Sequence, residues 1–128
     1  MTCLDSLELL DARAAVYFAV APALRRELIT PPDPSRDEHP EAFRKRALGA
    51  VVNAAMKTAP NASGAPRAMC PLCGSGGSSR LGFLWPTGLA LHLLGDGHHA
   101  QPCIVYQELM AAIFYTRRRE FRAAENAC

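Results

Sequence analysis

The sequence predicts a mainly α fold, in which three helices form a core and a small separate unit is inserted before the last helix. Apolar residues recur at helical spacing in three segments of the chain. Two proline-rich stretches, residues 30–40 and 58–66, interrupt this pattern, because proline cannot continue a helix. A segment rich in cysteine, histidine and glycine lies between the second stretch and the last helical segment. We therefore expect a three-helix core with one inserted unit of different character.

The first predicted helix begins at Asp5 or Ser6, either of which can act as an N-cap, and runs to about Leu28. Pro22 predicts a kink within it. The apolar stretch 14–24 is too short to span a bilayer and follows acidic residues, which argues against a signal peptide. The helix has one broad apolar stripe, formed by Leu7, Leu10, Ala14, Tyr17, Ala21, Leu24 and Leu28.

Two further helices are predicted, over residues 40–56 and from Pro102 to about Ala124. Pro40 suits the first turn of the second helix. The expected buried positions are Phe43, Ala47, Val51 and Ala54 in the second helix, and Val105, Leu109, Ala112 and Ile113 in the third. The length of 128 residues fits a single domain, 1–128. Its predicted parts are a helical part (1–57), a linker (58–68), the inserted unit (69–103) and a C-terminal helix (104–124).

The inserted unit carries cysteine and histidine at spacings that a tetrahedral zinc ion accepts. Cys70 and Cys73 form a C-x2-C pair, and His92 and His98 follow. Apolar residues around the thiolates reduce water access, and Gly74 allows the backbone to turn so that amides can face the sulfurs. The alternative is that these are polar turn residues beside a hairpin that binds no metal. The pattern favours a zinc site.

Phe83, Leu89 and His92 follow in the order F-x5-L-x2-H, and with the C-x2-C pair this resembles the C2H2 zinc finger. The resemblance covers residues 69–103 and implies a small ββα zinc-finger-like unit, in which Phe83 and Leu89 close a miniature core over the metal. The spacing departs from the family, because eighteen residues separate Cys73 from His92 instead of roughly 12 to 15. The surplus, residues 74–80, is rich in glycine and serine and predicts a lengthened hairpin tip.

The fourth ligand is the open point of this site. Glycines at 95 and 97 should end the helix soon after His92, so that the last ligand comes from a turn. His98 is the first choice, followed by His99 and then Cys103. Four protein ligands saturate the ion, which predicts structural Zn2+ with no open position for water or substrate.

No enzyme is expected. His98 or His99 beside Cys103 could serve a cysteine hydrolase, and an open metal with a histidine base could serve a nuclease. Zinc ligation accounts better for the same residues. The chain also lacks a glycine-rich phosphate loop, a nucleophile elbow and an HExxH motif.

Charge is unevenly distributed, because residues 1–39 carry a net charge of −3 and residues 40–128 carry +5. Basic clusters of this kind can hold the phosphates of DNA or RNA without regard to sequence. Alternatively, the same residues interact favourably with helix dipoles or pair with acidic groups of the chain. The candidate residues are Arg44, Lys45 and Arg46 in the second helix, and Arg117, Arg118, Arg119 and Arg122 in the third.

Sequence-specific DNA reading is not expected. If the finger register holds, the three positions that would face bases are Trp85, Gly88 and Leu91, none of which can make a bidentate base contact. Trp85 and Leu91 are therefore protein-binding candidates, unless they pack on the chain's own helices. Trp85 could also stack on an unpaired base.

Two functions follow from these observations. The first is a non-enzymatic, zinc-stabilised adaptor or inhibitor that binds a protein partner. The second is an accessory nucleic-acid binder that uses its basic helix ends. Five cysteines, two of them in the C-x2-C pair, favour a reducing compartment, the cytoplasm, with Cys3 and Cys128 as free thiols. The short, Ala- and Arg-rich chain is similar in a general way to regulators of bacterial mobile elements. No membrane association is expected, and the oligomeric state stays open.

Overall fold

A computed structural model of the chain describes residues 20–58, 64–77, 80–95 and 101–126. Most of these residues are helical, which confirms the mainly α prediction. No helix in the described part has the length and apolar character that crossing a membrane requires. The elements of this part, in chain order, are α1 (Pro22–Ile29), α2 (Pro40–Ala54), β1 (Arg67–Ala68), β2 (Phe83–Leu84), α3 (Thr87–Leu94), α4 (Ile104–Thr116) and α5 (Arg118–Asn126).

Prolines mark the beginning of the first two helices. Pro22 lies in the first turn of α1, and Pro40 is the first residue of α2. A proline is tolerated there because an N–H at that position has no partner within the helix. The prediction that one helix continues through Pro22 with a kink is wrong, since Ala21 has an extended backbone (φ −50°, ψ 131°). The residue before a proline is pushed out of the helical conformation. The part of that predicted helix before Val20 lies outside the described residues.

The chain divides into two compact units. The terminal unit comprises Met1–Ala47 and Glu108–Cys128, and the central unit comprises Leu48–Gln107. The first contains α1 and α5, and the second contains both strands and α3. The single domain over residues 1–128 stays a prediction.

Aromatic rings and aliphatic side chains fill the terminal unit. The ring centre of Phe43 lies 5.4 Å from that of Phe114 and 5.2 Å from that of Phe121. Fully burying one large apolar side chain stabilises a fold by about 1.5–3 kcal/mol. Side chains of this unit without exposed surface are Leu28, Phe43, Ala47, Leu109 and Ile113, and all five are inward positions that the helical spacing predicted. The prediction that Ala54 of α2 is buried is wrong, since this residue is exposed.

Charged side chains are paired inside the terminal unit. Arg117 Nη2 lies 3.0 Å from Glu38 Oε1 and 2.6 Å from Glu120 Oε2. Arg46 Nε lies 2.8 Å from Glu38 Oε2. The side chains of Arg117 and Glu38 are only 4% and 6% exposed, so each charge depends on its partners to offset the cost of leaving water.

The two arginines also bind the end of α1. Arg117 Nη1 donates to the Leu28 carbonyl at 3.1 Å, and Arg46 Nη2 donates to the carbonyls of Leu28 and Thr30, both at 3.2 Å. The last carbonyls of a helix have no partner within it, and here guanidinium groups supply one. The Arg117–Glu38 and Arg46–Glu38 pairs thus connect α1, the start of α2 and the α4–α5 junction.

Burial by itself raises the pKa of Glu38, but the hydrogen bonds and charges of Arg46 and Arg117 outweigh it and hold the pKa below its ordinary value of 4.5. The pKa of Glu120 is lowered in the same way, since burial raises it less than the Arg117 guanidinium and the Glu38 backbone N–H lower it. Both carboxylates are therefore ionised at neutral pH.

The third predicted helix is divided at Arg117 into α4 and α5. Helical hydrogen bonds nevertheless continue across the division, because the Arg117 N–H donates to the Ile113 carbonyl at 2.8 Å and the Phe121 N–H donates to the Arg117 carbonyl at 3.0 Å. The interruption falls at the residue whose side chain makes the buried ion pairs. Helical spacing in the sequence does not predict this interruption.

The central unit contains a short antiparallel pair of strands followed by a helix. Arg67 lies opposite Leu84, and Ala68 lies opposite Phe83, while Lys57 adds a bridge to Ala68. α3 begins three residues after β2 ends. This is the order expected for the inserted unit, but each strand has only two residues, and the ββα unit stays a prediction.

We expect Arg117→Met to lower the free energy of unfolding at pH 7 by about 3 kcal/mol, because Glu120 loses its arginine partner and the buried Glu38 keeps only Arg46. Urea unfolding followed by circular dichroism measures this. The matched control is Arg119→Met, which changes an exposed arginine two residues away and should cost less than about 0.5 kcal/mol.

The difference in stability between wild type and Arg117→Met should also depend on pH. The pKa values of Glu38 and Glu120 are depressed on folding, so their contribution to stability is present above about pH 4.5 and is lost as the pH falls through the folded values. The difference between wild type and Arg117→Met should therefore narrow in acid. An equal difference at pH 7 and pH 3 would contradict the ion-pair explanation.

Candidate metal centre

Four potential metal ligands converge in the central unit. Cys70, Cys73, His92 and Cys103 each offer one ligand atom, and these atoms all lie within 4.8 Å of one another. The first two lie on the turn that follows β1, His92 lies in the last turn of α3, and Cys103 immediately precedes α4. Side chains far apart in sequence thus meet at one point.

The turn that carries the first two cysteines has the hydrogen bonds of a metal-binding knuckle. The Gly74 N–H donates to the Cys70 carbonyl at 2.9 Å, and the Cys70 N–H donates to the Ser75 carbonyl at 2.9 Å. Gly74 has φ +77°, a conformation that favours glycine, as the sequence led us to expect. The turn also brings the Ser75 N–H to 3.4 Å from Cys73 Sγ. Backbone amides therefore face the sulfurs.

The imidazole of His92 is fixed by an aromatic ring and faces a sulfur. The rings of Phe83 and His92 stack with centres 4.4 Å apart and an angle of 19° between their planes. Nε2 of His92 lies 3.3 Å from Cys73 Sγ. Burial lowers the pKa of His92, which favours the neutral imidazole that a metal needs. Leu89 has no exposed surface, in agreement with a position inside the miniature core.

Cys103 reaches the cluster because α3 ends early. Gly95 terminates α3 with φ +74°, and its N–H donates to the Leu91 carbonyl at 2.7 Å, which confirms that a glycine stops this helix. The Cys103 N–H then donates to the His92 carbonyl at 3.0 Å. Because Cys103 precedes α4, the backbone N–H groups of Val105 and Tyr106 bond to its sulfur.

The structure thus places in the cluster the residue that sequence reasoning ranked last for the fourth ligand. His98 and His99 lie outside the described residues. The position of Cys103 at a helix start was the signal available in the sequence, since amides and the helix dipole there favour a thiolate.

Burial raises the pKa of two thiols of the cluster, those of Cys70 and Cys103. It raises the pKa of Cys70 to about 11, against the lowering effect of the Cys73 and Leu72 amides. It also raises the pKa of Cys103. Without a cation these thiols are protonated at neutral pH, so metal binding must release their protons, and metal affinity should fall in acid.

The two protein-binding candidates differ in their surroundings. Trp85 Nε1 donates to the Val52 carbonyl at 2.9 Å, and Lys57 Nζ lies 4.0 Å from the centre of the indole ring. Trp85 is therefore largely engaged within the central unit. Leu91 on α3 is 51% exposed. Leu84 and Leu94, which sequence reasoning did not select, are also about half exposed.

The candidate nucleic-acid-binding residues also differ, because some are engaged within the fold and others are exposed. Arg46 and Arg117 are used in the ion pairs of the terminal unit. Arg44 forms an ion pair with Glu41 and lies 4.8 Å from the centre of the Phe114 ring. Arg118 stacks on a tyrosine of α4, while Lys45, Arg119 and Arg122 are exposed. A cavity of about 240 Å³ is lined in part by Arg44, Arg118 and Arg122.

No protein-family model, no curated protein and no solved structure matches this chain. The function is therefore inferred from the chain's own residues.

We expect Cys103→Ser to weaken zinc binding by more than about 100-fold, because it removes a ligand and not merely a group that orients one. Competition with a chromophoric chelator measures the affinity. The matched control is the double variant His98→Ala and His99→Ala, which should bind zinc as tightly as wild type. Loss of binding in the control with retention in Cys103→Ser would assign the fourth position to a histidine instead.

Proposed function

We propose that this protein is a non-enzymatic, zinc-stabilised interaction protein of the adaptor or inhibitor type. The observation that carries the proposal is the group Cys70, Cys73, His92 and Cys103, with ligand atoms within 4.8 Å. Three thiolates and an imidazole are the ligands of structural zinc sites.

The spacing of the ligand atoms suits zinc. Sulfur atoms about 2.3 Å and nitrogen atoms about 2.0 Å from a tetrahedral zinc ion lie roughly 3.5–3.8 Å apart. The separation of 3.3 Å between Cys73 Sγ and His92 Nε2 is close to this value. Small side-chain shifts would bring all four atoms to the tetrahedron.

Four protein ligands leave zinc no open position, so the ion would stabilise the fold and take no part in a reaction. It would join the knuckle, α3 and the start of α4. Structural zinc can contribute on the order of 10 kcal/mol, about the net stability of a small domain. Three metal-binding thiols also favour a reducing compartment such as the cytoplasm.

The resemblance to a C2H2 finger fits this role with two departures. Phe83 stacks on His92 and Leu89 is buried, as in the family. The fourth ligand is instead a cysteine beyond the end of the helix, and the hairpin tip is long. We therefore describe residues 69–103 as a finger-like unit with a Cys3His centre.

The surface proposed for a protein partner is the leucine face, which we define as Leu84, Leu91 and Leu94. Each of these side chains is 44–55% exposed, although apolar. Gly88 lies between Leu84 and Leu91, and a side chain at that position would approach Leu84 Cβ to 3.2 Å. The glycine therefore lets Leu84 of β2 pack closely against α3. Trp85 positions this face through its bond to α2 and is not itself the contact surface.

We expect Leu91→Asp to abolish capture of a protein partner from cell extract, because it puts a charge into an apolar contact. Quantitative mass spectrometry of proteins retained on the immobilised chain measures this. Met56→Asp is the matched control, since Met56 is 90% exposed and lies outside the leucine face. Zinc content and helicity should be unchanged in both variants. Equal capture by wild type and Leu91→Asp would refute this surface.

The alternative function is sequence-independent binding of DNA or RNA, and the arginine-lined cavity favours it. Arg44, Arg118 and Arg122 border this cavity, and Arg119 and Lys45 are exposed nearby in sequence. Arg46 and Arg117 are excluded from the proposal because they are engaged within the fold.

If this alternative holds, the double variant Arg118→Ala and Arg119→Ala should reduce the slope of log affinity against log salt by about two units. Fluorescence anisotropy with labelled single- and double-stranded oligonucleotides gives the slope. The control variant Arg36→Ala removes an exposed arginine from the acidic N-terminal part. No salt-dependent binding by the wild-type protein would eliminate the alternative.

A further inference from the structure

We infer that Cys73 is the site at which a hydroperoxide oxidises the metal centre, with formation of a disulfide inside the cluster and release of the ion. This inference rests on the proposed zinc centre and adds a means of regulating it. It follows from an asymmetry among the three cysteines of the cluster.

The first part of the asymmetry is access. Cys70 and Cys103 are 2% and 4% exposed, whereas Cys73 is exposed to solvent. A side chain built at the neighbouring Gly74 would meet no atom within 4 Å, so the space beside Cys73 is open. A small oxidant can therefore reach Cys73 directly, whereas Cys70 and Cys103 are almost fully covered.

The second part is hydrogen bonding to sulfur. Two backbone amides, those of Leu72 and Cys73, bond to the Cys70 sulfur, and two from the first turn of α4 bond to the Cys103 sulfur. The Ser75 amide lies at the long distance of 3.4 Å from Cys73 Sγ. Amide donors withdraw electron density from a thiolate and make it a weaker nucleophile. Amide donors therefore weaken Cys70 and Cys103 as nucleophiles, and exposure makes Cys73 the cysteine that an oxidant reaches first.

The third part is the nearness of a second thiolate. The sulfurs of Cys70 and Cys103 both lie within 4.8 Å of Cys73 Sγ. A disulfide needs an S–S separation of about 2.0 Å, which a rotation about the Cys73 Cα–Cβ bond can provide in an exposed turn. An oxidised Cys73 therefore has a resolving thiolate beside it.

The chemistry balances with hydrogen peroxide as the oxidant. The Cys73 thiolate attacks one oxygen of the peroxide, an S–O bond forms, the O–O bond breaks, and hydroxide leaves. The thiolate of Cys70 or Cys103 then attacks the Cys73 sulfenic acid, an S–S bond forms, and a second hydroxide leaves. Two thiolates lose two electrons in total, and these reduce the peroxide to two hydroxide ions.

Loss of two thiolate ligands leaves the ion with at most one sulfur and His92, too few to retain it. The links between the knuckle, α3 and the start of α4 are then broken. Because Leu91 and Leu94 of the leucine face lie on α3, oxidation should also remove the proposed partner surface. A thiol reductant together with zinc would restore it.

The test uses the full chain with Cys3→Ser and Cys128→Ser, so that the cluster holds all the remaining thiols. Zinc content is measured first and should be about one ion per chain. The protein is then treated with dilute hydrogen peroxide in the presence of dimedone, which traps sulfenic acid, and is mapped by peptide mass spectrometry. In parallel, a chromophoric chelator reports released zinc.

We expect dimedone at Cys73 to exceed that at Cys70 or Cys103 by at least about tenfold, and zinc release to keep pace with thiol loss. Equal labelling of the three cysteines, or zinc release without thiol oxidation, would overturn the inference. Absence of zinc in the fresh protein would instead refute the zinc centre itself, so the two failures are distinguishable.

A pair of variants gives a second readout. Cys73→His keeps four potential ligands but removes the exposed thiolate, and its zinc release by peroxide should be at least about tenfold slower. Cys103→His, the matched comparison, keeps Cys73 and its neighbour Cys70, and it should release zinc at least about tenfold faster than Cys73→His. Equal rates in the two variants would contradict a special role for Cys73. Mapping of the wild-type cluster decides the question even if a variant does not fold.

Discussion

The convergence of Cys70, Cys73, His92 and Cys103 within 4.8 Å brings together segments of the central unit that are far apart in the sequence. Each of its strands has two residues, and α3 has eight. Helices and strands this short are marginal without tertiary support. The knuckle, the stacked pair of Phe83 and His92, and the bond from Cys103 to the His92 carbonyl all serve to place four ligand atoms together. A metal ion there would add to the stability that buried side chains such as Val51, Leu89 and Leu93 supply.

The terminal unit is organised in a different way. A buried guanidinium, Arg117, pairs with Glu38 and Glu120 and also binds a carbonyl at the end of α1. This arrangement changes the meaning of the basic clusters, since Arg46 and Arg117 are structural and unavailable to phosphates. Some basic residues of the C-terminal part of the chain are paired with acidic residues of the fold. Net charge alone therefore overstates the case for nucleic-acid binding.

The proposed interaction surface and the proposed oxidation site both consist of side chains that remain exposed on the knuckle and on α3. The knuckle buries Cys70 and leaves Cys73 open, and α3 buries Leu89 and Leu93 while leaving Leu91 and Leu94 exposed. If zinc stabilises α3, loss of the ion also disrupts the leucine face. Oxidation of a single exposed sulfur would then control partner binding.

The sequence by itself determined the helical spacing, the proline that begins α2, and the C-x2-C pair with His92, because each depends on residues close together in the chain. The glycine that ends α3 was predictable for the same reason. Tertiary structure decided which side chain joins these three ligands, where the last helix is interrupted, and which arginines are buried. Cys103 and Arg117 owe their positions to contacts with residues 11 to 89 positions away, and such contacts depend on how the elements pack. The local sequence pattern does not predict that packing.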